Sequence, residues 1–313
     1  MEFLRWLEGI RTPVLTFLME KLTYCGSEVA LMAVAIVVFW CVNKKWGYYI
    51  MTVGFFSIIL SQFLKLVYRI PRPWVLDPNF SIVEAARADA RGYSFPSGHT
   101  FNSVITFGGI ALCSKKIWVR IVCVVLLLLI PFSRMYLGVH TPLDVGVAFG
   151  AALLLLFVFY PFAMKADEHP GRMYILFGLM LVCAAAYILY VNFGLSAESF
   201  GSDAEELANY TDGVKNSWSL TGALLGLLAT WFYDSRVLKF EVSAPFLGQV
   251  CKVVLGLLCV MAIRLGLSAL FSAIFPGQLF WSLPRYFLMV IMAGCIWPRT
   301  FPFFRRLGAK KAV

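Results

Sequence analysis

Charge is scarce in this chain: 14% of its 313 residues are Asp, Glu, Lys or Arg, against 60% apolar residues and a mean hydropathy of +0.80. A soluble domain of this length does not have that composition; repeated apolar runs near twenty residues describe a polytopic membrane protein. Acidic residues are the scarcer sign, 17 against 27 basic ones, for a net charge of +10. That excess does not make a nucleic-acid surface. The basic residues fall in short loops between apolar runs, and no patch interleaves them with aromatics. No C-x-x-C occurs among the eight cysteines, most of which lie in or beside apolar runs. Buried free thiols are expected, rather than a disulfide frame or a zinc site. A cleavable signal peptide, an internal repeat and low-complexity sequence are also lacking. Residues 1–21 carry Arg5, Glu8, Arg11, Glu20 and Lys21 among apolar positions, which reads as an amphipathic helix lying at the membrane interface.

The apolar runs place spans near 29–42, 47–69, 99–113, 117–132, 142–163, 173–191, 217–233, 246–273 and 283–297. The expected fold is all-α, a polytopic membrane bundle of about nine helices preceded by the interfacial helix. Lys44, Lys45, Lys115, Lys116, Lys165, Arg172, Arg236, Lys239 and the basic tail through Lys310 and Lys311 then fall on one side. The loop at 74–95 and the acidic loop at 198–212 fall on the other, so the positive-inside rule puts the N-terminus outside and the C-terminus inside. Three polar clusters, at 65–73, 96–99 and 134–144, share the non-cytoplasmic face.

Histidine is rare, with three in the chain, and two of them lie in these clusters. Pro96-Ser97-Gly98-His99 stands where a polar loop meets an apolar run. Ser97 there is a helix cap or, with the Gly98 N–H and the helix dipole, part of a phosphate cradle. Lys65 and Arg69 are four apart and share a helix face, and Arg72 either extends that stripe or is swung away by Pro71 and Pro73. Cations on the non-cytoplasmic side call for an anionic partner. Thr141, Pro142 and Asp144 read as N-cap, first helical residue and capping-box acid. The Asp144 carboxylate is equally placed to orient His140 as a nucleophile, beside Arg134. Such a set suits phosphoryl transfer without a metal, since Lys and Arg beside a bound cation would be unfavourable; no metal or cofactor is expected.

In order, Lys65-x6-Arg72-Pro73, Pro96-Ser97-Gly98-His99 and Ser133-Arg134-x5-His140-x3-Asp144 resemble the three motifs of the type 2 phosphatidic acid phosphatase superfamily, over roughly residues 23–165. The resemblance implies that His140 attacks phosphorus to form a phosphohistidine and that Asp144 orients it. It implies that His99 protonates the leaving oxygen and then assists water. Lys65, Arg72, Ser97, Gly98 and Arg134 would hold the phosphoryl oxygens. Arg69 lies outside the motif and is expected to contact a headgroup or loop, or a second phosphate. On this reading residues 1–22 are the interfacial helix, 23–165 the catalytic phosphatase core and 166–313 a transmembrane extension, resembling in layout glucose-6-phosphatase and the sphingosine phosphate phosphatases. Arg264, inside an apolar run, is expected to pair, line a cavity or stabilise helix packing.

The expected activity is hydrolysis of a membrane lipid phosphate monoester or pyrophosphate (polyprenyl pyrophosphate, phosphatidate or sphingoid-base phosphate) at the non-cytoplasmic face. A sugar phosphate phosphatase is the alternative, with a vanadate-dependent haloperoxidase or a transporter with a vestigial site further off. Short loops favour a bacterial plasma membrane. The sequons Asn79-Phe80-Ser81 and Asn209-Tyr210-Thr211, with Lys310-Lys311-Ala312-Val313 resembling a dilysine retrieval signal, make the endoplasmic reticulum with a luminal site the alternative.

Overall fold

The computed structural model describes residues 1–166 and 168–307, and no strand occurs among them. The dilysine pattern at 310–311 lies outside the described residues. The N-terminal segment is two helices, α1 (Glu2–Gly9) and α2 (Pro13–Tyr24), where one was expected. Pro13 has no N–H to continue a helix, and the Thr12 hydroxyl caps the second one by accepting from the Leu15 N–H at 3.4 Å. Leu4 and Leu7 of α1 are buried against Phe80, Tyr136 and Leu137, while Phe3 and Trp6 remain exposed.

A sharp bend follows, and α3 (Glu28–Val37), extended by a π-helical stretch to Val42, leaves α2 at 56°. Next, α4 (Lys44–Tyr68) forms the centre of the bundle, packed by α3 and by later helices, with most of its residues buried. The polar loop that follows holds the short α5 (Pro73–Leu76). Then come α6 (Gly98–Ser103), a π-helical stretch through Gly108, and α7 (Gly109–Cys113). Helices α8 (Ile117–Tyr136) and α9 (Pro142–Met164) close the first half. The second half comprises α10 (Gly171–Leu189), α11 (Ala204–Tyr233), α12 (Phe246–Ile274), α13 (Ser282–Ile291) and α14 (Phe301–Arg306).

Every expected span is largely helical, but the count of nine is not confirmed. Among the described residues six helical segments are long and apolar enough to cross a membrane, or seven if the bent α2–α3 pair is one span. The 98–113 segment is too short to qualify alone. In α11, Asn216, Ser217, Ser219, Thr221, Gly222 and Gly226 dilute the apolar residues below what a span requires. The apolar stretch of α12 is almost wholly unburied, as suits a helix facing lipid, and Arg264 is exposed on it rather than paired in the bundle. All eight cysteines are free; Cys113, Cys123 and Cys295 are buried, Cys25 is exposed, and the rest are intermediate.

Lys44 and Lys65 mark the two ends of α4, about 30 Å apart at 1.5 Å per residue. Around Lys44, a cavity of about 710 Å³ is lined by Lys45, Lys239 and the buried Asp234, which accepts from Lys44 and Tyr48. At the other end, the C-terminus of α4 and the N-termini of α6 and α9 meet.

Candidate active site

Each polar cluster is positioned by a helix terminus. Thr141 caps α9 by accepting from the Asp144 N–H at 3.2 Å, while the Asp144 carboxylate accepts from the Thr141 N–H at 2.7 Å: the capping box expected from the sequence. The same oxygen, Asp144 Oδ2, accepts from the Ser94 hydroxyl at 2.6 Å and lies 3.5 Å from His140 Nδ1. Asp144 is therefore placed both to cap α9 and to face His140. Just before the cap, Gly138 takes φ +81°, and this left-handed turn carries the chain back from α8 to His140.

Arg72 is held on three carbonyls. Its Nε donates to Gly92 O, Nη2 to Arg91 O and Nη1 to Val139 O, each at 2.9 Å. The same Nη1 lies 2.9 Å from His140 Nε2. It also lies 3.4 Å from Nδ1; a guanidinium can only donate, so the shorter contact favours Nε2 as the acceptor, with the Nδ1 proton facing Asp144 and the Ser94 carbonyl. His140 is 2% exposed. Burial, reinforced by the charges of Arg72, Arg134 and Lys65, pushes its pKa well below the ordinary 6.5. A neutral imidazole with an available Nε2 lone pair is the form that can act as a nucleophile.

Ser97 caps α6, accepting from the Thr100 N–H and hydroxyl at 3.4 and 2.9 Å, and its own N–H donates to the Asp144 carbonyl at 3.2 Å. A Cβ at Gly98 would meet nothing within 4 Å, so the start of this helix faces open space. His99 lies within electrostatic reach of Arg134, His140, Arg72 and Lys65, and its buried Nε2 has no hydrogen-bond partner among the described residues. Lys65, 9% exposed at the last turn of α4, donates to the Tyr93 carbonyl. Arg134 is wholly buried; its Nη1 donates to Thr23 Oγ1 at 2.8 Å, while Nε and Nη2 have no partner among the described residues. Buried unpaired guanidinium N–H groups are costly unless an anion meets them.

The structure thus brings Lys65, Arg72, Ser97, Gly98, His99, Arg134, His140 and Asp144 to one end of the bundle. Arg69 stands apart. It ends α4 at φ 47°, donates to the Ser199 carbonyl at 3.1 Å, and stacks its guanidinium 3.8 Å from the Phe200 ring centroid: a loop contact. Two residues absent from the sequence reading take part, Ser94 and Thr23. Ser94 had a local signal, three positions before Ser97; Thr23 had none.

The family model described as the PAP2 superfamily matches residues 45–168, and a second, the PAP2 superfamily phosphatase transmembrane extension, matches 218–311. The chain is 28% identical to phosphatidylglycerophosphatase B of Bacillus subtilis over 170 residues, covering 50% of this chain and 79% of that protein. It is 31% identical to undecaprenyl-diphosphatase BcrC of Bacillus subtilis over 121 residues, covering 39% of this chain and 60% of the relative. The crystal structure of Aquifex aeolicus LpxE is similar at a TM-score of 0.45 and 24% identity, over 52% of this chain and 93% of that one.

Proposed function

Because this chain belongs to the PAP2 superfamily and is an integral membrane phosphatase of that type, we propose that it hydrolyses a lipid phosphate monoester or pyrophosphate through a phosphohistidine formed on His140. Residues 23–165 are the catalytic core and 166–313 a membrane extension in this reading. The observation that carries it is the buried His140, its Nε2 2.9 Å from Arg72 Nη1, set among the charges of Arg72, Arg134 and Lys65.

The substrate phosphate enters against the exposed start of α6. The Gly98 N–H, Lys65 and the free N–H groups of Arg134 take its oxygens, with Ser97 at the helix cap. Arg72 Nη1 exchanges His140 Nε2 for a phosphoryl oxygen, which both neutralises the phosphate and frees the lone pair. Nε2 then attacks phosphorus as the P–O bond to the leaving group breaks, and His99, protonated once the bound phosphate offsets the charges of Arg134, Arg72 and Lys65, delivers that proton to the departing oxygen. His99 next takes a proton from water, the water oxygen attacks phosphorus, and the P–N bond breaks to return neutral His140. Asp144 holds the Nδ1 proton in place throughout.

The lipid class follows from a site at one end of apolar helices, where a headgroup is presented by the bilayer and its tails lie between helices; relatives named for phosphatidylglycerophosphate and undecaprenyl diphosphate support it. With Lys44, Lys45 and Lys239 at the opposite end, the positive-inside rule supports an extracytoplasmic site in a bacterial plasma membrane. Detergent-solubilised protein assayed for released phosphate against lipid and sugar phosphates tests the reading. Preference for lipid monophosphates or diphosphates is expected, and a strong preference for glucose-6-phosphate would overturn it.

A further inference from the structure

We propose that the α2–α3 bend is a wall of the phosphate site and that Thr23 is a positioning residue that aims Arg134. The bend lies outside the segment matched as the PAP2 superfamily, which begins at residue 45. Three observations carry the inference, which rests on the proposed function above.

Thr23, at the end of α2, is 2% exposed, and its Oγ1 accepts from Arg134 Nη1 at 2.8 Å across 111 positions of sequence. No other side-chain hydrogen bond of the Arg134 guanidinium is formed among the described residues, and Nε and Nη2 are buried without partners. A wholly buried guanidinium held by one hydroxyl takes its direction from that hydroxyl, which leaves the remaining N–H groups turned towards the anion site.

Gly26, at the apex of the bend, supplies the second contact. A Cβ there would stand 2.6 Å from the Ile130 side chain and 3.2 Å from the His99 carbonyl oxygen, so a glycine lets the bend press between α8 and α6. The Gly26 carbonyl accepts from Asn102 Nδ2 at 3.2 Å, tying the bend to the helix that carries His99. Third, Glu28 opens α3 within electrostatic reach of Lys65, so the same bend comes near a second phosphate-binding cation. One short segment therefore touches the supports of His99 and Arg134 and comes near Lys65.

The test compares Thr23→Val, which keeps the shape and loses the hydroxyl, with Thr23→Ser, which keeps the hydroxyl, and with Arg134→Ala. Turnover of a lipid phosphate, inhibition by vanadate and melting temperature in detergent are measured on each full-length protein. Thr23→Val is expected to weaken vanadate inhibition and lower kcat/KM by about tenfold or more, at a melting temperature close to wild type, and Thr23→Ser to stay within about threefold. Wild-type kinetics in Thr23→Val, or a loss that serine does not rescue and that follows the melting temperature, would overturn the assignment. Arg134→Ala separates the two levels. If it is inactive while Thr23→Val is normal, only the role of Thr23 fails; if it binds vanadate normally, the phosphate site itself is misassigned.

Discussion

Arg72 and His140 come from opposite sides of the site, and Arg72 Nη1 donates to His140 Nε2 across 2.9 Å. This contact, shorter than the 3.4 Å from the same Nη1 to Nδ1, favours the tautomer with Nε2 unprotonated and covers the atom proposed to attack. It also ties the polar loop to the start of α9, because the same guanidinium is gripped by the carbonyls of Arg91, Gly92 and Val139.

Arg72→Lys is therefore not a conservative change. A single ammonium on a flexible stem cannot replace a planar fork that serves three carbonyls and an imidazole. Each buried carbonyl left unpaired costs about 1–3 kcal/mol, so the melting temperature should fall along with kcat/KM, the latter by at least about a hundredfold. Thermal unfolding in detergent and lipid phosphate turnover check both; an active variant with unchanged melting would contradict the role given to Arg72.

Asp144→Asn should separate capping from catalysis. Asparagine still accepts from the Thr141 N–H, so α9 keeps its cap and the melting temperature changes little. The charge facing His140 Nδ1 is lost, but the Ser94 carbonyl still faces that nitrogen. A fall in kcat of about 10- to 100-fold is expected, short of the complete loss in His140→Ala. Steady-state kinetics on both variants, at matched full-length expression, decide the order.

The pH dependence follows from the depressed His140 pKa. The neutral form persists as pH falls past 6.5, so the acid limb that His140 sets on kcat/KM lies below that value. Between 6.5 and the lower folded pKa the unfolded chain binds a proton that the folded protein does not. This group thus makes stability fall as pH drops below about 6.5 and leaves it level above. A pH–rate profile on the free enzyme checks the first statement and melting against pH the second. An acid limb at or above 6.5 would contradict the assignment.

Helix α1 pins the loop that feeds Arg72. Arg5 pairs with Asp77 at 2.5 Å and donates to the Asn79 carbonyl at 3.2 Å, and Glu8 accepts from the Ser81 N–H at 3.1 Å. These are exposed contacts and individually weak. Replacing both Arg5 and Glu8 by alanine should raise protease cleavage within residues 77–91 and lower activity by about two- to fivefold. Unchanged cleavage and activity would show that the loop holds itself.

Local chemistry was legible in the sequence where one helix terminus contained it. Thr141, Pro142 and Asp144 announced their capping box, and the order Lys65, Arg72, Ser97, His99, Arg134, His140 announced a cluster that the fold assembles. The break at Pro13 was also written in the chain, yet the amphipathic pattern across residues 1–21 outweighed a single proline. The count of nine spans is not confirmed because the 98–113 segment is short and α11 polar for a membrane span. Thr23 was illegible for a different reason. Its partner is 111 residues away, and no local pattern marks a threonine near a helix end as the support of a distant arginine.

The central claim is that His140 attacks phosphorus, and trapping the covalent intermediate tests it most directly. Wild-type and His99→Ala proteins, quenched within the first turnover of a lipid phosphate carrying radiolabelled phosphorus, should yield an acid-labile, base-stable label that maps to His140. The same experiment on His140→Ala should yield neither label nor turnover. Turnover by His140→Ala, or a label mapping to any other residue, would contradict the account.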